Sequence, residues 1–490
     1  MCKHFTQYFS LSILCLIFFS FSIIQAQVDT LWTKTFGGNI EETGYSVQQI
    51  SDGGYIIIGY TSSFGAGGWD VWLIKTNADG DTLWTKTFGG SDYDQGKSVK
   101  QTQDEGYIIT GGTSSFGTGN SDVWLIKTNA DGDTLWTKTF GGSGYEAGYS
   151  VQQASDGGYI ITGYTSSFGA GDNDVWLIKT NASGDTLWTK TYGGNSDDYS
   201  YSVRQTKDDG YIITGYTQSF GAGVNDIWLI KTNASGDTLW TKTFGGSGYD
   251  VALSVQQTMD EGYIMTGSTR SFNDANGDVW LIKTDVSGDI LWTKTYGGGD
   301  YDMGYSVQQT IDKGYIVAGT TSSFGANIQD IWLIKTNTDG DTIWTKTFVG
   351  SGANVAFSVQ QTTDEGYIIT GWTTSFDNGN GDIWLIKTTA DATIVKKNNN
   401  NILSDYKLFQ NFPNPFNPKT TFKFSIPKSD QVTISIYTIS GQMLESKTMN
   451  FNPGSYSFEF DGSKYSTGIY FYKISTSSGF TAERKMLLLK

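Results

Sequence analysis

The chain is expected to be all-β: a seven-bladed β-propeller of 52-residue, four-stranded repeats followed by a small C-terminal β-sandwich. Three observations lead there. The string Asp-Thr-Leu-Trp-Thr-Lys-Thr-Phe-Gly-Gly begins at Asp29 and returns, with small changes, at Asp81, Asp133, Asp185, Asp237, Asp289 and Asp341, always 52 residues on. A second string, Asp-Val-Trp-Leu-Ile-Lys-Thr, begins at Asp70 and returns at Asp122, Asp174, Asp226, Asp278, Asp330 and Asp382. The repeats hold no helical spacing of apolar residues, and no proline occurs before Pro413.

Within the first unit, strand A is expected over Tyr45–Gln49, B over Tyr55–Tyr60, C over Val71–Thr76 and D over Thr82–Phe88. Turn residues separate them: Asp52-Gly53-Gly54, Gly65-Ala66-Gly67-Gly68 and Asn77-Ala78-Asp79-Gly80. Strand B is apolar on both faces, with Tyr55 and Ile57 on one side and Ile56, Ile58 and Tyr60 on the other. Burial of both faces needs a sheet packed on each side, which blades stacked around an axis supply. Strand A carries Ser46, Gln48 and Gln49, as suits the strand nearest a wet channel.

The phase of the repeat closes the ring. The chain enters on a D strand, Thr30–Phe36, and its last unit stops after a C strand, Ile383–Thr388. The first strand therefore completes the last blade and leaves no dangling edge. An open stack would need polar end units, and the end units here are as apolar as the middle ones. Of the 16 tryptophans, 14 occupy two repeat positions, those of Trp32 and Trp72. Each buries roughly 200 Å², so they are read as packing between blades.

The segment Asn77-Ala78-Asp79-Gly80-Asp81-Thr82-Leu83-Trp84 resembles the tryptophan-docking motif of quinoprotein propellers. The resemblance implies blade docking. That family's cofactor-binding residues are not identifiable here, and no cofactor is expected. WD-repeat signatures are absent, since the repeats hold no His, and the kelch order fails because Gly89-Gly90 follows the tryptophan instead of preceding it.

Residues 1–26 read as a secretory signal peptide: Lys3, an apolar run from Leu11 to Ile24, then Ala26. No later apolar run is long enough to span a bilayer. Cys2, Cys15 and His4 all lie in this segment, so the expected mature chain has neither Cys nor His. That excludes disulfides, Ser-His-Asp triads, Cys nucleophiles and His/Cys zinc sites. The formal charge of −16, with only Arg204, Arg270 and Arg484 as arginines, excludes nucleic acid as a partner.

The propeller is expected over residues 27–391 and a polar linker over 392–405. All five prolines follow, in a β-rich segment over 406–490. It carries Asn414-Pro415-Phe416-Asn417-Pro418, a Gly468-Ile469-Tyr470-Phe471-Tyr472 strand, and a last stretch from Lys485 through Met486-Leu487-Leu488-Leu489 to Lys490. In this order the three features resemble the type A C-terminal sorting domain of the type IX secretion system. The resemblance implies a Gram-negative host and recognition by the type IX machinery. It also implies delivery to the outer cell surface or the medium, commonly with removal of the domain.

A binding site is expected on the face shared by the D–A and B–C loops. A carboxylate recurs there at Glu42, Asp94, Glu146, Asp198, Asp250 and Asp302, with Asn354 in the seventh unit. With Trp69, Arg270 and Asp274 they form a candidate binding rim, to be weighed against carboxylates that only satisfy turn amides. Asp70 and its equivalents favour the turn role. The alternating oxygens of Asn77, Asp79 and Asp81 suggest calcium, but a hairpin turn fits better and no metal site is expected. Catalysis would need residues that break the repeat, and these are few: Trp69, Arg270, Asp274, Asn354 and Trp372. No catalytic residue is assigned. A binding propeller, engaging polysaccharide, is the leading expectation; a carboxylate-based glycan hydrolase or lyase and a passive structural protein are the alternatives.

Overall fold

A computed structural model describes residues 28–272, 276–326, 328–376, 380–391, 406–411, 413–451 and 454–490. The expected signal peptide and linker lie outside them. The chain divides near residue 393 into two compact units.

The larger unit opens with β1 (Thr30–Phe36), followed by β2 (Glu42–Gln49), β3 (Tyr55–Thr61), β4 (Asp70–Thr76) and β5 (Thr82–Phe88). This set of four recurs without change of order through β25 (Thr342–Phe348). The last three strands are β26 (Asn354–Gln361), β27 (Tyr367–Thr373) and β28 (Asp382–Thr388). They form seven antiparallel sheets of four strands, and the seventh has the order β1-β28-β27-β26. The first strand thus closes the last blade, with Phe36 opposite Ile383 and Thr30 opposite Thr388. Strand A begins three residues earlier than the sequence suggested, at Glu42, because its ladder to strand B continues to the Glu42–Thr61 pair.

The A strands line the axis and are tied to one another in a ring. Gln49 and its six equivalents each accept a hydrogen bond from an A–B turn of a neighbouring blade, from Ser51 onto Gln101 round to Thr363 onto Gln49. Each A strand carries a β-bulge at the Tyr45 position, where the register skips from Gly44 to Ser46. A bulge turns two consecutive side chains to one side, so Tyr45 and Ser46 both face the channel.

Blades pack through the tryptophans. Trp72 and its equivalents are buried between sheets. Trp32 lies edge-on to Tyr55 of the next blade, 5.8 Å between centroids, and over Gly80. Gly80 has φ +77°, and a Cβ there would stand 2.6 Å from the Trp32 ring, so the turn needs glycine for both its conformation and the ring's approach. Lys34 reaches across to Asp81 at 2.8 Å, and the same ion pair recurs around the ring. At the closure Lys346 donates instead to the Val28 carbonyl at 2.6 Å. Val28 is fully buried there beside Trp344 and Trp384.

The second unit contains β29 (Lys407–Leu408), β30 (Lys419–Ile426), β31 (Asp430–Thr438), β32 (Met443–Phe451), β33 (Gly454–Asp461), β34 (Gly468–Thr476) and β35 (Thr481–Leu488). Sheets ordered β29-β30-β33 and β32-β31-β34-β35 share one core of Phe422, Phe424, Val432, Ile434, Tyr472 and Met486 among others. This is the small sandwich the alternation predicted.

Removing residues 28–36 should expose the edge of β28 and open the Trp344 pocket. The expected result is a melting temperature lower by about 10 °C or more. Differential scanning calorimetry checks this, and a truncated chain that melts with the parent contradicts closure by β1.

Candidate functional site

The D–A and B–C loops do share one face. The Asp94 amide donates to the Trp69 carbonyl at 2.7 Å, joining the two loop sets, and Glu42 to Gly381 repeats this at the closure. The ring carboxylates Glu42, Asp94, Glu146, Asp198, Asp250 and Asp302, however, are 0% exposed. They are not a solvent-facing rim. Glu42 accepts from the Gly38 amide (2.8 Å), the Thr61 hydroxyl (2.8 Å) and the Ser63 amide (3.1 Å), and so ties the two loops together. Asp94, Glu146, Asp198, Asp250 and Asp302 accept in the same way from Gly90, Gly142, Gly194, Gly246 and Gly298. An ionised carboxylate accepts several such bonds at once, which is why an acid occupies this position.

Asp70 caps its own turn, accepting from Ala66 and Gly67 at 3.0 and 3.1 Å. It also lies beside Asp94, and burial followed by that neighbouring charge pushes its carboxyl up from the ordinary value. Asp174, beside Asp198, is raised for the same reasons in the same order. The seventh unit shows how such a pair is relieved: Asn354 donates its amide to Asp330 at 3.3 Å while accepting from Thr373 and Ser375.

The candidate calcium loop is a turn. The Asn77 side-chain oxygen accepts from the Asp79 and Asp81 amides at 3.0 and 2.9 Å, and Asp81 pairs with Lys34.

What faces solvent at this end is aromatic and irregular. Trp69 stacks on Tyr60 at 4.7 Å and meets Tyr93 edge-on at 5.0 Å. Tyr199 lies between Tyr164 and Tyr216, at 4.7 and 5.2 Å. Arg270 places its guanidinium 5.6 Å from the Tyr249 ring centre. A pocket of about 400 Å³ there is lined by Tyr201, Tyr216, Tyr249, Arg270, Tyr301 and Met303, among others. Tyr201 and Leu253 belong to this pocket and to the central channel, so the two are continuous. Asp274 lies outside the described residues. Arg270 therefore lines the mouth and Trp69 stands among the aromatics of the same face, while the six ring acids are buried within the loops, Asp250 alone of them bordering this pocket.

The channel holds about 260 Å³. Its upper level is a broken aromatic ring in which Phe357 touches Tyr45 at 5.1 Å and Tyr305 at 5.0 Å, and Tyr149 touches Tyr201 at 5.0 Å. Sequence reasoning missed that the channel also carries Lys97, Lys100 and Arg204. Aligning the seven units column by column reveals them, since Lys97 stands at the Tyr45 position and Lys100 and Arg204 at the Gln48 position.

In the C-terminal unit, the segment Asn414, Pro415, Phe416, Asn417 and Pro418 is held on the final strand through Asn414 and Phe416, while the Pro418 carbonyl accepts from the Gly462 amide at 2.8 Å. Phe416 is buried in the core and exchanges backbone hydrogen bonds with Leu487 and Leu489 at 2.9 and 3.0 Å. The Asn414 side chain accepts from the Leu487 amide at 2.9 Å. Gly468 pairs with Leu488 at the start of β34, and Lys485, opposite Phe471, keeps its side chain in solvent. The motif thus holds the basic-apolar last strand in place.

Residues 410–488 match the family described as the secretion system C-terminal sorting domain. Regulatory protein FlaEY of Caulobacter vibrioides is 23% identical over 234 residues, which are 42% of this chain and 24% of that protein. The chain thus spans about a quarter of this curated relative. Among solved structures, the extracellular domain of the hybrid two-component system BT3049 from B. thetaiotaomicron aligns with TM-score 0.41 and 10% identity. It covers 91% of this chain and 55% of that one. The extracellular domain of the one-component system BT4673 from the same organism aligns with TM-score 0.40 and 11% identity, over 93% and 59%. The chain spans less than two thirds of either.

Two outcomes are expected. Asp198→Asn should stabilise the propeller by about 1 kcal/mol at pH 7, because it removes one of two adjacent buried charges and supplies the donor that Asn354 supplies in the seventh unit. Since the Asp174 carboxyl is raised in the fold, its cost appears as pH rises through its unfolded value toward the raised one. The gain should therefore shrink as pH falls from 7 toward 4, as thermal melts across that range will show. Removing residues 406–490 should leave the propeller within the cell envelope, and fractionation of the host cells reads this out. The C-terminal unit is a type IX sorting domain, and it sends the propeller to the cell surface or the extracellular space.

Proposed function

We propose that the exported propeller is a binding module whose ligand face is the aromatic channel mouth, and that its ligand is an extracellular polysaccharide. One observation carries this reading. The positions that build blades repeat almost unchanged, and two of the residues that break the repeat, Trp69 and Arg270, stand beside exposed tyrosines on the face of the D–A and B–C loops. Trp69 and Arg270 stand where the other units carry Ser, Asn, Gly, Gln or Thr. Tyr93, Tyr145 and Tyr249 are half or more exposed there. Rigid aromatic faces beside a guanidinium offer stacking area and hydrogen-bond donors at low entropic cost, which suits a sugar ring.

A carboxylate-based hydrolase or lyase has less support. The ring acids it would use are buried and already engaged by loop amides and hydroxyls, whereas a catalytic pair must reach the glycosidic oxygen; its other candidate, Asp274, lies outside the described residues.

Arg270→Ser restores the residue found in four of the other units, at Ser62, Ser114, Ser166 and Ser322, and should leave the fold intact. With Tyr301→Ala it should weaken retention on the bound polysaccharide by about tenfold. Pull-down on an insoluble and soluble polysaccharide panel, followed by a glycan array, measures this. Wild-type protein that retains none of them, or variants that bind as wild type does, would sink the reading.

A further inference from the structure

The inner level of the channel departs from sevenfold order in a way the mouth does not explain. In five blades a glutamine of strand A accepts a hydrogen bond from the edge amide of the next blade. Gln48 accepts from Gln101, Gln152 from Gln205, Gln256 from Gln309, Gln308 from Gln361 and Gln360 from Gln49, at 2.6 to 3.1 Å. At the two remaining positions stand Lys100 and Arg204, and a cation cannot accept. The edge amides of Gln153 and Gln257 are therefore without the oxygen that serves their equivalents. Two structural hydrogen bonds have been given up for two positive charges.

Among the described residues those charges have no ion-pair partner. Both side chains line the channel together with Lys97, and among the described residues no Asp or Glu lines it. The Arg204 guanidinium donates to the Val203 carbonyl at 2.8 Å and to Ser150 Oγ at 3.4 Å, both neutral acceptors. Lys97 sits one level up, with its ammonium 3.7 Å from the Tyr45 ring centre. The other titratable groups lining the channel beside it are the phenols of Tyr45, Tyr149, Tyr201 and Tyr305; outside that lining, Glu41 accepts from the Tyr60 hydroxyl at 2.8 Å and bears on Tyr45. This happens in a chain with 49 acidic residues against 33 basic ones, where a carboxylate partner would be easy to find. Burial lowers Lys97 to about 7 and, with the neighbouring Arg204 charge, lowers Lys100 to about 7. Like charges grouped in a protein-walled channel are unfavourable, and a ligand of opposite charge relieves them.

We propose that the central channel is a seat for an oxyanion group, a carboxylate, sulfate or phosphate, held between Lys100 and Arg204 with Lys97 facing the remainder of the ligand. The channel volume admits a single sugar acid or an inorganic ion with water. An anion stabilises the protonated form of Lys100, so binding takes up a proton and weakens as pH rises from 6 to 8. The seat stands independently of what the mouth takes.

Lys100→Gln, Arg204→Gln and the double variant install the glutamine of the other five blades, so they preserve the fold. Calorimetric titration of the full chain uses sodium sulfate, potassium phosphate and glucuronate at constant ionic strength, with glucose as the neutral control. The expected result is binding of at least one anion by wild type, weaker at pH 8 than at pH 6, and weakened about tenfold or more in the double variant. Without anion, the double variant should melt above wild type. Preference for glucuronate with glucose inert identifies an acidic sugar; preference for sulfate or phosphate identifies an inorganic group or its ester. No anion bound by wild type, or equal binding by the double variant, overturns the seat. A neutral polysaccharide held at the mouth would not rescue it, so the two readings fail separately.

Discussion

A four-stranded sheet with apolar side chains on both faces is insoluble alone, and everything else in the larger unit follows from that constraint. Ile56 and Ile58 pack toward one neighbouring blade, while Ile57 and Tyr55 pack toward the other. At about 25 cal/mol per Å² of buried apolar area, no blade can forgo either neighbour, and only a closed ring gives every blade two. Closure then depends on β1, which lies in sequence more than 300 residues from its partner β28. Lys346 and Trp344 adapt to it by contacting Val28 and Asp391 where the other units use an Asp and a turn glycine.

The polar groups inside this ring serve the same end. The loop acids tie D–A loops to B–C loops, and the buried Lys127 equivalents bridge strand C to the A–B turn through Asp104 and its counterparts. Each is a charge held by fixed donors and acceptors, which is what makes burial tolerable. With those roles assigned, the residues left without a structural task stand out. They are the aromatics and Arg270 at the mouth, and the three cations in the channel.

These two groups lie on one continuous surface, through Tyr201 and Leu253. A ligand entering from the mouth first meets aromatic faces and then positive charge. Export by the sorting domain places the propeller at the cell surface or in the extracellular space.

Much of this was legible in the sequence. The constant 52-residue spacing specified seven equal blades, and the phase of the repeat specified which strand closes the ring. The Asn-Pro-Phe-Asn-Pro segment marks the sorting domain by its residues alone, without its contacts to β35. Such features are written in local patterns, because turns and strands of fixed length need particular residues at particular intervals. Burial of Glu42 and its equivalents was not legible, since a carboxylate in a loop looks the same whether it meets water or three loop donors. Nor was the channel lining. Simple alternation places Tyr45 and Ser46 on opposite faces, and only the bulge between Gly44 and Ser46 turns both inward. The gathering of Lys97, Lys100 and Arg204, from two different blades, into one channel that no Asp or Glu lines among the described residues was decided by the ring alone. Their separation in sequence carries no sign of it, because the closeness comes from closing seven sheets around an axis.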